Sequence, residues 1–159
     1  MSQVKYKELK EVIESLGLSL FGVSSIGPLL EHRQRLIRWQ ENGYAADLGY
    51  MQRSTELLTS PQMLLSEAKS VVSIIAPYSH RPNIRIPPGY GRIARYAWGA
   101  DYHRVIKKLL LSLVEQLSAS IGPIVSRSFT DAVPLLERAL AAQAGLGFFG
   151  RNSMLITPK

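Results

Sequence analysis

The sequence predicts a mixed α/β domain, with a central mixed sheet flanked by helices, and three observations lead there. Apolar residues recur at helical spacing in several segments, most plainly at Val105, Ile106, Leu109, Leu113 and Leu117. Two other runs, Leu18 to Val23 and VVSIIAPY at 71–78, are short, largely apolar and suited to strands. The length of 159 residues, without internal repeat or low-complexity linker, is that of one domain, so 1–159 is read as a single unit.

The elements follow in order. Leu9, Val12, Ile13 and Leu16 mark one face of a helix over 5–16, closed by Gly17 at its C-cap. A strand over 18–23 comes next, then a helix opened by Pro28 and ending near Gly43. GYAADLGYMQRSTELLT is a connection, after which Ser60-Pro61 reads as N-cap and first-turn proline of a short helix through Ala68. The 71–78 strand is apolar enough to be covered on both faces. Pro82, Pro87, Pro88, Gly89, Gly91 and Gly99 make 79–100 a long surface loop. Asp101 is placed to cap the long amphipathic helix that ends before Gly122. Pro123–Phe129 is strand-like, Pro134–Ala144 helical with Gly145 as its stop, and 153–157 strand-like.

The bulk numbers narrow the function classes. No run reaches the roughly 18 apolar residues needed to span a bilayer, and the N-terminus lacks the unbroken apolar core of a signal peptide. A cytoplasmic location is the expectation. With no cysteine, the chain forms no disulfide, thiolate zinc site or conventional iron–sulfur cluster of its own, and His32, His80 and His103 show no metal-ligand spacing. The net charge is +7, and seven basic residues between Ser79 and Lys108 stand against Asp101 alone, so that segment holds +6 of it. Tyr90, Tyr96, Trp98 and Tyr102 are interleaved with the cations, a pattern suited to a polyanion such as nucleic acid or to a solvated basic surface.

Gly145-Leu-Gly147-Phe-Phe-Gly150 matches G-x-G-x-x-G, and GYGRIA (89–94) matches its alanine-terminated form. A dinucleotide site needs those glycines between a strand and the helix they open. GLGFFG instead follows a helix and presents the negative end of its dipole, so it reads as a helix stop and turn; GYGRIA follows a proline-rich loop. Asp131 stands at a strand-to-helix junction. As a helix N-cap it would contribute about 1 kcal/mol; in an apolar pocket walled by Phe129, Phe148 and Phe149 it would serve as a general acid. Glu137 and Arg138 follow, either as a local ion pair or with the arginine facing an anion.

Two longer blocks carry a family resemblance. RIARYAWGADYHRVIKKLL (92–110) and TDAVPLLERALAAQAGLGFFGRNSMLI (130–156) contain, in order, ARYAWGxDYH and D-x-x-P-x-L-E-R … A-G-L-G-x-x-G-[KR]-N, and AKSVVSIIAPY (68–78) fits beside them. In these blocks the chain resembles the N-terminal, cobalamin-binding domain of epoxyqueuosine reductase, over essentially its whole length. The resemblance implies a fold related to reductive dehalogenases and nitroreductase-like proteins. It implies a cobalamin-dependent reduction, on tRNA, of epoxyqueuosine to queuosine, with a ferredoxin-like domain delivering electrons. It implies that Asp131 donates the proton to the epoxide oxygen, and that cobalamin contacts fall on Ala94, Asp131, Asn152, Leu155 and Arg138. His103 lines up near the cleft, and Arg81, Arg85, Arg92 and Arg95 are expected to meet the tRNA.

Two departures qualify the resemblance. Leu58 stands where the family commonly has a cobalamin-touching arginine. The cluster-binding cysteines would lie after residue 159, so iron–sulfur clusters are expected only through another domain or a separate ferredoxin-like partner. The chain then reads as a truncated or degenerate piece, or one half of a two-chain enzyme, incomplete or inactive alone. Two other readings stand beside the enzyme: a corrinoid- or tRNA-binding module without turnover, and a flavin-using nitroreductase relative.

Overall fold

The computed structural model describes residues 3–52, 55–77 and 85–158. In chain order its elements are α1 (Gln3–Ser15), β1 (Leu20–Ser25), α2 (Leu30–Glu41), α3 (Thr55–Thr59), β2 (Ser70–Ile75), α4 (Tyr102–Ile121), α5 (Glu137–Gln143), β3 (Phe148–Phe149) and β4 (Leu155–Ile156). Short 3₁₀ turns occur at Gly49–Gln52, Pro61–Met63 and Arg95–Ala97.

β1 and β2 pair antiparallel, Leu20 opposite Ile75 and Ser25 opposite Ser70. Strand alternation sends Phe21, Val23 and Ile74 to one face, where they pack on Leu9, Ile13 and Leu18 and on Leu113 of α4. The opposite face receives α5: Val71 joins a second cluster with Leu29, Leu135, Leu136, Ala139 and Leu140. The sheet is thus covered on both sides, as the apolar run at 71–78 requires.

α5 lies close to β1 because position 22 is glycine. A Cβ there would sit 2.5 Å from the carbonyl oxygen of Ala144 and 2.9 Å from its Cβ. The helix starts are served from an unexpected quarter. α2 and α5 have no side-chain N-caps; instead the end of α3 turns its carbonyls to them, with Leu29 N–H donating to Thr59 O (2.9 Å) and Leu136 N–H to Leu58 O (3.1 Å). Arg33 and Glu56, 3.8 Å apart, tie α2 to α3.

Several expectations are corrected. The single central mixed sheet is replaced, among the described residues, by two separate antiparallel pairs, β1–β2 and β3–β4. Pro123–Phe129 is not a strand; Pro123 offers no N–H to a ladder, and the segment is tied down by a side chain, Arg127 Nη1 donating to Leu64 O at 2.8 Å. Ser60 caps nothing with its side chain, and Pro61–Met63 forms only a 3₁₀ turn. The helix expected from Pro134 begins at Glu137, because the Leu135 N–H turns to Val133 O and the Leu136 N–H is taken by Leu58. Asp101 does cap α4, accepting the His103 N–H at 3.0 Å. No helix among the described residues is long and apolar enough to cross a membrane.

Adding a methyl group at the β1–α5 contact overpacks it. Gly22→Ala is expected to lower stability by about 1–3 kcal/mol in urea unfolding, whereas Gly27→Ala, with nothing within 4 Å of its added carbon, leaves the midpoint close to that of the parent chain.

Candidate active site

Asp131 lies on the segment joining α4 to α5, with its backbone in the left-handed region at φ +50°. For a residue with a Cβ that conformation costs on the order of 1 kcal/mol or more. Two hydrogen bonds offset the cost. Tyr102, the first residue of α4, donates its hydroxyl to Asp131 Oδ2 at 2.7 Å, and the Asp131 N–H donates to Oε1 of Glu137, the first residue of α5, at 3.0 Å. Together they tie this exposed turn to the first residues of α4 and α5.

Tyr102 is itself well placed. Its ring stacks on His103 (centroids 4.0 Å apart, 27° between planes) and meets Tyr96 edge-on (6.1 Å, 86°). His103 Nδ1 is 2.8 Å from Asp101 Oδ1, and the hydrogen bonds from His103 hold the Asp101 carboxyl below its ordinary value. Sharing its proton with Asp131 pushes the Tyr102 phenol up to about 12. Burial raises Glu137, the N–H of Asp131 opposes that, and the Asp131 charge adds to it.

The next residue, Arg138, turns the other way. Its Nη1 donates to the carbonyl of Ser153 and lies 3.9 Å from Met154 Sδ. Ser153 also has positive φ, +62°, in the turn between β3 and β4. There Asn152 Oδ1 accepts the Met154 N–H (3.2 Å), and Gly150 N–H donates to Met154 O (2.9 Å). The hairpin pairs Phe148 with Ile156 and Phe149 with Leu155. It exposes Phe148, Phe149, Met154 and Ile156 while Leu155 is half-buried. Upstream, Ala94 is exposed and extended, its carbonyl accepting the Ala97 N–H. Trp98 closes this loop through Nε1 to Ile93 O at 2.9 Å.

Residues 59–132, which carry Tyr102 and Asp131, match the family model described as "Epoxyqueuosine reductase QueG, DUF1730". An epoxyqueuosine reductase of Cellulophaga algicola is 38% identical over 144 residues, covering 91% of this chain and 46% of the relative. The crystal structure of an epoxyqueuosine reductase with an epoxyqueuosine-modified tRNA stem loop superimposes with a TM-score of 0.83 at 32% identity, covering 96% of this chain and 41% of that one. The Bacillus subtilis epoxyqueuosine reductase, in a structure with its catalytic aspartate loop swung out of the active site, gives 0.77 at 28% identity, covering 98% and 42%. Over nearly its whole length the chain is thus similar to epoxyqueuosine reductases.

It spans somewhat less than half the length of these relatives. In this chain Asp131 is not the N-cap of α5: it precedes the helix, and its carboxylate faces Tyr102 rather than helix amides. Nor do the three phenylalanines wall it in. Phe129 lies under the Arg127 guanidinium (5.2 Å), Phe149 meets His32 (5.7 Å), Phe148 is exposed, and Asp131 itself is exposed. Glu137 and Arg138 are engaged with Asp131 and Ser153, on two different loops, instead of forming an ion pair. GLGFFG is a stop and a turn: Gly145 ends α5 at φ +78°, and a Cβ on Gly147 would strike the backbone carbonyl of Ile156.

Arg85 and Arg92 are exposed and Arg95 is half-buried beside the 3₁₀ turn; Arg81 lies outside the described residues. The partners of Asp131 were the part that sequence reasoning missed. Sequence pattern places Tyr102 among the aromatics of the basic segment and Glu137 beside Arg138 as a local ion pair, yet both open helices that flank Asp131, which is the signal that pairs them.

The Tyr102–Asp131 bond has a titration signature. A phenol raised from 10.0 to about 12 contributes stability that is complete below about 10 and lost as pH rises through about 12. Asp131→Asn is expected to bring the Tyr102 titration, followed by NMR of labelled tyrosine, back toward 10.

Proposed function

We propose that this chain is the cobalamin-binding, proton-donating portion of an enzyme that reduces epoxyqueuosine to queuosine in tRNA. The observation that carries the reading is the Asp131 carboxylate, within the family-matched segment, held at a strained backbone by Tyr102.

The residues present fit a corrinoid. Corrin is a broad apolar ring edged by amides, and the β3–β4 hairpin offers Phe148, Phe149, Met154 and Ile156 as an exposed apolar face. Asn152 spends its Oδ1 on the Met154 N–H, so its Nδ2 donor is the group directed to ring-edge carbonyls. Ala94 and Leu155 add backbone and apolar contact, with Arg138 holding the Asn152 turn from behind. Bound cobalamin would supply the reducing electrons, fed by a ferredoxin-like iron–sulfur donor in a further domain or partner.

Converting the epoxide to an alkene takes up two electrons and two protons and releases water. Asp131 gives a proton to the epoxide oxygen from Oδ1, because Oδ2 is engaged by Tyr102. As Asp131 becomes a carboxylate, the Tyr102 hydroxyl bond strengthens, so the site stabilises charge where it develops. Arg85, Arg92 and Arg95, with Arg81, supply the charge that meets the anticodon arm, and exposed Tyr90 and Tyr96 the stacking faces. The related structure holding an epoxyqueuosine-modified stem loop supports tRNA as the substrate.

With cobalamin, a strong chemical reductant and epoxyqueuosine-containing tRNA, the chain is expected to form queuosine detectable by mass spectrometry. Asp131→Asn should form none while still binding cobalamin; turnover by that variant removes Asp131 from the role. A flavin spectrum, with no cobalamin bound, would establish the nitroreductase-like reading instead, and cobalamin binding without product the non-catalytic one. Charge reversal of Arg81 and Arg85 is expected to weaken tRNA binding more at low salt than at high salt in filter binding; equal binding returns both to solvated surface.

A further inference from the structure

Two consecutive residues at the start of α5 each grip a strained loop. Asp131 and Ser153 are both non-glycine residues with positive φ, at +50° and +62°. Glu137 accepts the N–H of the first and Arg138 donates to the carbonyl of the second. The helix beneath them is firmly seated, with Ala139, Leu140 and Ala141 buried and the first two packed with Leu29 and with Val71 of the sheet. Asp131, in contrast, is exposed, so neighbouring packing does little to choose its backbone conformation. The Glu137 side chain is half-buried and reaches Asp131 from the rigid side.

We infer that Glu137 is the positioning residue of this site: its carboxylate, carried on α5, fixes the Asp131 backbone in the left-handed turn and so presents the Asp131 carboxyl to Tyr102. Glu137 acts through one backbone N–H, and what matters is an acceptor oxygen at that point. The catalytic meaning of the clamp rests on Asp131 being the proton donor; the clamp itself does not.

The test therefore reads the loop without cofactor or tRNA. In the full chain with labelled tyrosine, the Tyr102 phenol is expected to titrate at about 12 while Asp131 is held. Glu137→Ala is expected to bring that titration toward the ordinary 10 and to speed hydrogen exchange of the Asp131 amide about tenfold, the loss of one hydrogen bond. Glu137→Gln, which keeps an acceptor oxygen, should restore both. If Glu137→Ala unfolds the chain, Glu137→Met, of similar length without an acceptor, gives the same comparison. Unchanged titration and exchange in the variants lacking an acceptor overturn the inference, as does a Glu137→Gln chain that behaves like them. In turnover, Glu137→Ala should lower kcat with KM for tRNA retained. Absence of product even from the parent chain is a failure of the Asp131 reading, and leaves the titration to decide the clamp.

Discussion

The seat of α5 on β1 is the constraint on which the candidate site depends. Ala144 can approach the strand only because Gly22 has no side chain, and the approach buries Leu140 almost completely. α5 has seven residues, too few to be stable by itself. Its geometry comes from the sheet below and from the Leu58 carbonyl that receives the N–H of Leu136. Once seated, its first turn is fixed in space, and so are the two side chains that leave it.

That fixity matters because the groups they hold are not fixed by burial. Asp131, Asn152 and Ser153 are exposed, on loops that leave the packed layers. Exposed loops with non-glycine residues in the left-handed region relax unless something over-determines them. Here the determinants are hydrogen bonds from helix starts: Tyr102 at the head of α4 and Glu137 at the head of α5 meet on Asp131. The carboxyl is thereby oriented while remaining open to solvent, an arrangement that an apolar pocket would have forbidden. The proton-donor role proposed for Asp131 requires that accessibility.

Elements governed by local chemistry were legible in the sequence, and those governed by distant partners were not. Asp101 as the cap of α4, Gly122 as its end, Gly145 as the stop of α5 and the doubly covered strand within the 71–78 run, observed as Ser70–Ile75, all follow from propensity and periodicity. Ser60-Pro61 and Pro123–Phe129 misled because a cap-like pair and a β-like composition say nothing about which backbone groups lie alongside. Asp131 stood out as a lone carboxylate before a helix, but its N-cap reading failed once Leu58, far away in sequence, took the place of a cap. Tyr102 and Glu137 are separated from Asp131 by 29 and 6 residues, and only the packing of α4 and α5 brings them to it.

Adjacency along α5 carries the last consequence. Successive residues of a helix point about 100° apart, so Glu137 and Arg138 necessarily reach for different loops. One loop carries Asp131, and the other the Asn152 turn at the tip of the apolar hairpin. The separation between the proposed proton donor and the amide proposed to face the corrin edge is then set by a single rigid helical turn, not by either loop. A short helix with two opposed grips is a simple physical means of keeping two exposed groups in register, and it explains why the pair occupies the first turn: further along α5, the side chains of Ala139, Leu140 and Ala141 are buried and can reach neither loop.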